Sequence, residues 1–351
     1  HSPHPPRRAA LPFLRPVHWG PAEPRHASYL GGPFGGTRPF ARVPLSRLAG
    51  CGALTRIMCV GGERLVGVDA NATTFTFRWP PTSGRPFPPV SATKHHSSLG
   101  LPSSDASKSH CSALLPTPDG RGCLVLQGAQ IDGGLIVWRS EGGPPLARTL
   151  EHAATITCLA HSTHGGLIIT GGADATVLLW SRTAEGRPVA TRALRGHVHP
   201  LTSVAVCSEV GVAASGAADG VVLLHSVGGE LLRSLRSPGH HPVLHLQLCA
   251  LHLRLVFGCA SSTTLHVCSL SGAPLFECES TAYVRTTLVG DDGILFAGSV
   301  SGDLRAWSLV TGEVLAVFAP PPAGVSALHC TDSELFCGTQ EGELLAYPLD
   351  P

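Results

Sequence analysis

The chain is poor in charge and in mobile or aromatic side chains. Of 351 residues, 14% are Asp, Glu, Lys or Arg, 5% are aromatic, and Met58 is the single methionine. The formal net charge of +1 leaves no electrostatic footprint of the kind that nucleic acid or a strongly acidic partner requires. No apolar stretch approaches the roughly 18 residues that a membrane span needs, and no signal peptide is read in these residues. The twelve cysteines include no CxxC pair, which removes the signature of zinc ribbons and thioredoxin-like redox sites. Cys158, Cys207, Cys249 and Cys259 fall within apolar, strand-like runs, so they read as reduced, buried thiols in a cytoplasmic setting. The nineteen histidines come without an HExxH motif, so no metal or other cofactor is expected. The chain starts at His1 and not at a Met, and is therefore read as part of something longer.

What is abundant is punctuation. The 41 glycines and 30 prolines separate short apolar runs with no convincing helical spacing. Seven of these runs end in a bulky residue: Trp79, Trp138, Trp180, His225, Cys268, Trp307 and Tyr347, spaced by 59, 42, 45, 43, 39 and 40 residues. A unit of about 40–45 residues is the period of a four-stranded propeller blade. The fourth unit shows the pattern: Leu201–Cys207, Val210–Ala217, Gly220–Val227 and Leu231–Leu235, with turn residues between them. Asp219-Gly220 between two apolar runs is a hairpin signal, because that turn demands positive φ. The expectation is an all-β, seven-bladed propeller.

Within the units a second spacing recurs. His110, Asp132, Trp138; His152, Asp174, Trp180; and His197, Asp219, His225 each step 22 and then 6 residues, and His240, Ser262, Cys268 repeat the step without the acid. Thr170 and Ser215 supply a hydroxyl in the third and fourth units, Gly128 stands at that place in the second, and Ser301 and Glu341 occupy the acid position in the last two. This pattern resembles the WD40 family, whose blades hold a buried relay of His, Ser/Thr, Asp and Trp. The resemblance implies that His110, Asp132, Trp138, His152, Thr170, Asp174, Trp180, His197, Ser215, Asp219, His225 and His240 are structural fasteners. His, Asp and a hydroxyl also make a catalytic triad, but a catalytic site does not copy itself around a ring. A buried Asp must be paired, and an anchored His pairs it.

The likeness narrows further. Gly196–Leu235, with His225 in the Trp position and Gly229-Glu-Leu-Leu-Arg233 after it, looks like a blade of neurobeachin-type BEACH proteins; so do Ile156–Ala160 with Gly172–Trp180, and Pro3-His-Pro5 resembles the link that follows a BEACH domain. The family implies a scaffold in vesicle trafficking and membrane-protein sorting, cytoplasmic and peripheral on internal membranes, with an upstream BEACH domain in intramolecular contact. Residues 1–37 are expected as the linker and 38–351 as the WD40-type β-propeller, in which residues 38–45 act as the N-terminal strand that closes the ring. Pro80–Lys108 reads as a long loop between blades one and two, with Ser97, Ser98, Ser103 and Ser104 as modifiable positions.

The expected function is a non-catalytic platform whose rim loops and blade edges bind other proteins. The alternatives are a WD40 adaptor of another complex and a propeller enzyme with a central-channel metal held near His240, His241, His245 and His252. A phosphoinositide-binding Phe-Arg-Arg-Gly motif is missing; Arg233 and Arg236 are separated by two residues.

Overall fold

Blades are built from strands of four to seven residues joined mostly by turns of three to six residues, so six of the seven sheets are local meanders and the seventh borrows a strand from the start of the chain. The computed structural model describes residues 37–45, 52–71, 73–79, 91–94, 111–117, 122–128, 133–162, 166–183 and 185–349. Among these residues there are 28 strands in seven four-stranded antiparallel sheets. Blade one is β2 (Leu54–Val60), β3 (Arg64–Asp69), β4 (Thr73–Arg78) and β5 (Ser91–Lys94). Blade two is β6 (Ser112–Pro116), β7 (Cys123–Gly128), β8 (Gly134–Arg139) and β9 (Ala147–Leu150). Blade three is β10 (Ile156–His161), β11 (Ile168–Gly172), β12 (Val177–Arg182) and β13 (Pro188–Leu194). Blade four is β14 (Leu201–Cys207), β15 (Val212–Ala217), β16 (Val221–Ser226) and β17 (Leu231–Arg236). Blade five is β18 (Val243–Cys249), β19 (Arg254–Cys259), β20 (Thr264–Ser269) and β21 (Pro274–Glu279). Blade six is β22 (Val284–Val289), β23 (Ile294–Ser299), β24 (Leu304–Ser308) and β25 (Val314–Val317). Blade seven is β26 (Val325–Cys330), β27 (Glu334–Thr339), β28 (Glu343–Pro348) and, from the other end of the chain, β1 (Ala41–Pro44).

The expected closure is present. β1 pairs antiparallel with β28, Ala41 opposite Ala346 and Pro44 opposite Glu343. Val43 and Leu45 enter a core shared by blades seven and one, together with Leu54, Phe75, Phe336 and Leu344. Thr37 extends the seam to blade six, where its carbonyl accepts the N–H of Ala319 at 2.8 Å.

Two sequence expectations shift. Pro80–Lys108 does not run as loop throughout, since Ser91–Lys94 form β5, paired to Thr73–Thr76; β4 needs an outer partner to complete its blade. The rest of that segment, with its four serines, and residues 1–36 of the expected linker lie outside the described residues. In blade one the bulky residue in register with the other anchors is Phe77, opposite Leu65, as Trp180 is opposite Ile168. Trp79 lies two residues further on and donates from Nε1 to Glu334 in blade seven at 2.7 Å.

Blades meet through a glycine on the second strand. A Cβ at Gly128 would stand 2.8 Å from Cβ of Ile156, at Gly171 2.8 Å from Cβ of Leu201, at Gly216 2.8 Å from Cβ of Val243, and at Gly338 2.8 Å from Cβ of Leu54. Each contact seats the first apolar residue of the next inner strand directly on backbone. Around the channel the inner strands are also stitched by side chains. Thr157 donates to the Leu201 carbonyl (2.7 Å), Thr202 to Val243 (2.6 Å), Gln247 to Thr287 (3.0 Å), and Arg56 to Ser112 (2.9 Å). The hydroxyls sit on bulges at the start of β10 and β14, which turn them toward the neighbouring blade.

Candidate functional site

Of the chemistry-bearing residues singled out by spacing, the described ones of blades three and four gather on one face, where loops between blades meet the turns between second and third strands. Blade three holds the complete chain. Trp180 Nε1–H donates to Thr170 Oγ1 at 2.9 Å. Thr170 Oγ1 lies 2.8 Å from His152 Nε2, and His152 Nδ1 lies 3.3 Å from both oxygens of Asp174. Asp174 also accepts the Ala153 N–H at 2.8 Å and the Thr176 N–H at 3.0 Å. The network assigns the tautomer: Nδ1–H donates to the carboxylate, so Nε2 accepts from the Thr170 hydroxyl. Burial pushes His152 below the ordinary imidazole range against the pull of Asp174, which keeps the ring neutral. Burial pushes Asp174 upward, but the Thr176 and Ala153 N–H groups and His152 outweigh it and hold the carboxyl below its usual range. The Thr170 hydroxyl both donates and accepts inside the protein, and the residue is 0% exposed, so it is not presented as a nucleophile.

Blade four uses fewer links. His197 Nε2 lies 2.8 Å from Ser215 Oγ. Asp219 takes the Val221 N–H at 3.2 Å and lies 4.0 Å from His199 Nε2. His225 does not donate to Ser215 as a Trp would; its Nε2 donates to the Arg195 carbonyl at 3.0 Å. The shorter imidazole reaches the loop backbone instead. Tyr347 does the same in blade seven, donating to the Ala319 carbonyl at 2.9 Å.

His240 stands apart from the relay geometry: it is exposed, with φ of 58°, and its Nδ1 lies 3.3 Å from Arg236 Nη1. The strand position facing the third strand is taken by Phe257, opposite His266, so no hydroxyl is there to receive it. Ser262 closes its own turn by accepting the Thr264 N–H. In blade two Trp138 is buried at the third-strand position opposite Val125. His110 and Asp132 lie outside the described residues. His241 is exposed, and His245 Nε2 bonds to the Val284 carbonyl at 3.1 Å. Among the described residues no group of three or more His, Cys, Asp or Glu is placed to hold a metal ion.

Two acids with the same task escape the six-residue spacing. Asp303 in blade six accepts from the Thr281 N–H (3.0 Å), the Thr281 hydroxyl (2.7 Å) and Ser280 (3.1 Å), two residues beyond the expected Ser301. Asp69 in blade one accepts from the N–H groups of Gly52 (3.1 Å), Asn71 (2.9 Å) and Thr73 (2.8 Å). Both tie an incoming loop to a hairpin turn. The signal that finds them is a carboxylate at either end of that turn, not one at a constant distance from the anchor.

These geometries separate the two blades energetically. Thr170→Val leaves Trp180 Nε1 and His152 Nε2 buried without partners, at about 1–3 kcal/mol each. Ser215→Ala strands one imidazole nitrogen. Thr170→Val is therefore expected to lower unfolding stability at least twice as much as Ser215→Ala in urea titrations. Equal losses would mean that blade three has no continuous relay.

Acid is expected to unfold the protein through its buried imidazoles. Burial lowers His152, His161, His197, His225, His245 and His329, with His197 and His329 brought to about 4. Between the ordinary value of 6.5 and about 4, the unfolded chain takes up protons that the folded chain refuses. Stability from these groups is complete above 6.5 and falls as pH drops through that window, furthest for His197 and His329. A thermal midpoint that stays flat from pH 7 to pH 4.5 would contradict this.

Residues 144–181, which end just past the blade-three anchor, match the family model for the WD domain, G-beta repeat. The chain is 27% identical over 223 residues to BEACH domain-containing protein B of Arabidopsis thaliana. It is 26% and 25% identical over 218 residues to putative neurobeachin homologs of Caenorhabditis briggsae and Caenorhabditis elegans. Each match takes in 57% of this chain and 8% of the relative, so the chain spans a small fraction of the length of these relatives. Among solved structures it is similar to the computationally designed Ika8 protein, with a TM-score of 0.62 and 19% identity over 90% of this chain and 100% of that one, a likeness of fold alone. The chain is a WD40-repeat β-propeller with distant homology to the BEACH-domain and neurobeachin proteins.

Proposed function

We propose that residues 38–351 form a non-catalytic platform for protein partners, the WD40 part of a BEACH-type protein that acts in vesicle trafficking and membrane-protein sorting. The observation that supports this reading is where the reactive side chains spend their hydrogen bonds. The His, Thr and Asp groups of blade three are consumed in holding loops to turns, while loop residues such as Val198, 81% exposed, stand in solvent. A buried, internally satisfied relay has nothing left to offer a substrate. The relay residues His152, Thr170, Asp174, Trp180, His197 and Ser215, and by the same spacing His110, Asp132 and Trp138, are thus fasteners that fix the shape of the binding face. Partners engage through rim loops and blade edges, and a BEACH domain elsewhere in the same protein is one of them. No described helix is long and apolar enough to cross a membrane, and the working location is cytoplasmic and peripheral on internal membranes.

The test uses the intact protein, tagged in cells and compared with a propeller-deleted form. Trafficking proteins recovered only with the propeller present are the expected result. Partners from an unrelated complex would favour a different WD40 adaptor, and no specific partner would remove the platform reading. Stoichiometric metal in the purified protein would instead favour an enzyme with a central-channel site.

A further inference from the structure

The face opposite the relay carries the turns between first and second strands and between third and fourth strands. On blades five and six these turns abut. A Cβ at Gly293 would lie 3.6 Å from Cδ2 of Leu251, and a Cβ at Gly312 2.8 Å from the ring of Phe276. The Leu309 N–H donates to Gly293 (3.2 Å) and the Leu270 N–H to Leu253 (3.2 Å), so four turns form one continuous surface.

That surface is apolar where solvent meets it. Leu251 is 56% exposed and Val310 58%, and Leu253, Leu275 and Val314 are exposed beside them. A chain that buries Leu255, Leu295 and Leu309 fully a few residues away has no folding reason to leave five large aliphatic side chains in water on these turns and the strand starts that follow them. A single exposed apolar residue needs no explanation, but a contiguous group does.

Charge on this surface is divided between the blades: His252 and Arg254 flank Leu253 on blade five and Arg233 Nε donates to the Ser271 carbonyl there at 3.3 Å, while the blade-six side is acidic. Asp291 and Asp292 occupy the first turn of blade six and Glu313 the second. Among the described residues none of the three is in an ion pair, whereas elsewhere on this face Glu141 pairs with Arg64 and Glu185 with Arg187. Three carboxylates without an ion partner along the blade-six side of an apolar centre disfavour an anionic lipid surface there and favour a cationic, apolar ligand.

We propose that the underside of blades five and six, centred on Leu251 and Val310, docks a basic amphipathic segment of a partner protein. The aliphatic side chains take its apolar stripe, and Asp291, Asp292 and Glu313 face its Lys and Arg residues. The proposal deepens the platform reading and rests on it by naming one surface and the chemistry of its partner.

The probe is a synthetic amphipathic peptide of Leu and Lys, titrated against the whole chain by fluorescence anisotropy, with a Leu/Glu peptide of the same pattern as control. Expected are saturable binding of the Leu/Lys peptide that weakens with salt, and little binding of the Leu/Glu peptide. Leu251→Ser with Val310→Ser should weaken binding tenfold or more, and Asp291→Asn with Asp292→Asn should reduce the salt dependence. All four positions are exposed, so an unchanged thermal midpoint verifies folding. Equal binding of both peptides, equal binding by the Ser variant, or variant-sensitive binding to phosphatidylserine vesicles would each overturn the proposal. If cellular partners are still recovered with the Ser variant, the platform stands and this surface falls; if none is recovered even with the wild type, the platform itself falls.

Discussion

Deletion of residues 37–45 is expected to abolish cooperative unfolding of the propeller, or to lower its midpoint by more than any single substitution does. β1 contributes Val43, 1% exposed, to the core shared by blades seven and one, and its backbone covers the edge of β28. Without it Leu344, Leu345 and Ala346 border an open edge, which templates pairing with another chain. Size-exclusion chromatography should show self-association of the truncated protein, and a synthetic peptide of residues 37–45 added in excess should reverse part of it. Val43→Asp, which buries a carboxylate without a partner, should cost more than about 3 kcal/mol. Arg42→Ala removes a bidentate pair whose guanidinium is exposed but whose Glu343 carboxylate is largely covered, and should lower the midpoint measurably but by much less than Val43→Asp does. A truncated protein that unfolds like the intact one would show that the ring does not depend on this seam. Circular closure makes the difference large: one missing strand frees two blade interfaces at once.

Gly338→Ala is expected to destabilise by about 1–3 kcal/mol through overpacking, although it adds only a methyl group. The new Cβ would meet Leu54 Cβ at 2.8 Å and Ile57 Cδ1 at 2.9 Å. The Leu54 atom is attached directly to backbone and cannot swing away. The same substitution at Gly171 would meet Leu201 Cβ at 2.8 Å and should cost a comparable amount. Leu54→Ala keeps its Cβ, so the steric conflict at Gly338 is relieved only if the inner strand shifts into the space that the lost methyls leave. A double-mutant cycle of Gly338→Ala with Leu54→Ala, followed by urea denaturation, is expected to show a favourable coupling of at least about 0.5 kcal/mol. Additive losses would mean that the blades do not move relative to each other as packed units.

The repeat was readable because its physical cause is local. A hairpin turn needs Gly, Asp or Asn wherever it occurs, and a strand covered on both faces is apolar throughout, so period and blade number survive in a single sequence. The relay of blade three was readable because His152, Thr170, Asp174 and Trp180 sit at separations set by one strand and one turn. The same arithmetic misplaced the anchor of blade one, since Trp79 is the larger aromatic while Phe77 is in register. It also passed over Asp69 and Asp303, which perform the loop-to-turn task from hairpins where the acid sits at another point of the turn.

By itself the sequence determined the all-β class, the seven units and the pairing of His152 with Thr170 and Asp174, because each follows from hydrogen-bonding and burial within one repeat; the closing role of the N-terminal segment follows instead from a seventh unit that has only three strands of its own. Only the tertiary structure decided that His225 donates to a loop carbonyl, that His240 stands in solvent, and that glycines on second strands seat the next blade. It alone brought Leu251 and Val310 to one surface beside Asp291. Those outcomes depend on what a neighbouring blade presents across the gap, and that distance is set by the closure of the ring and not by any one stretch of residues.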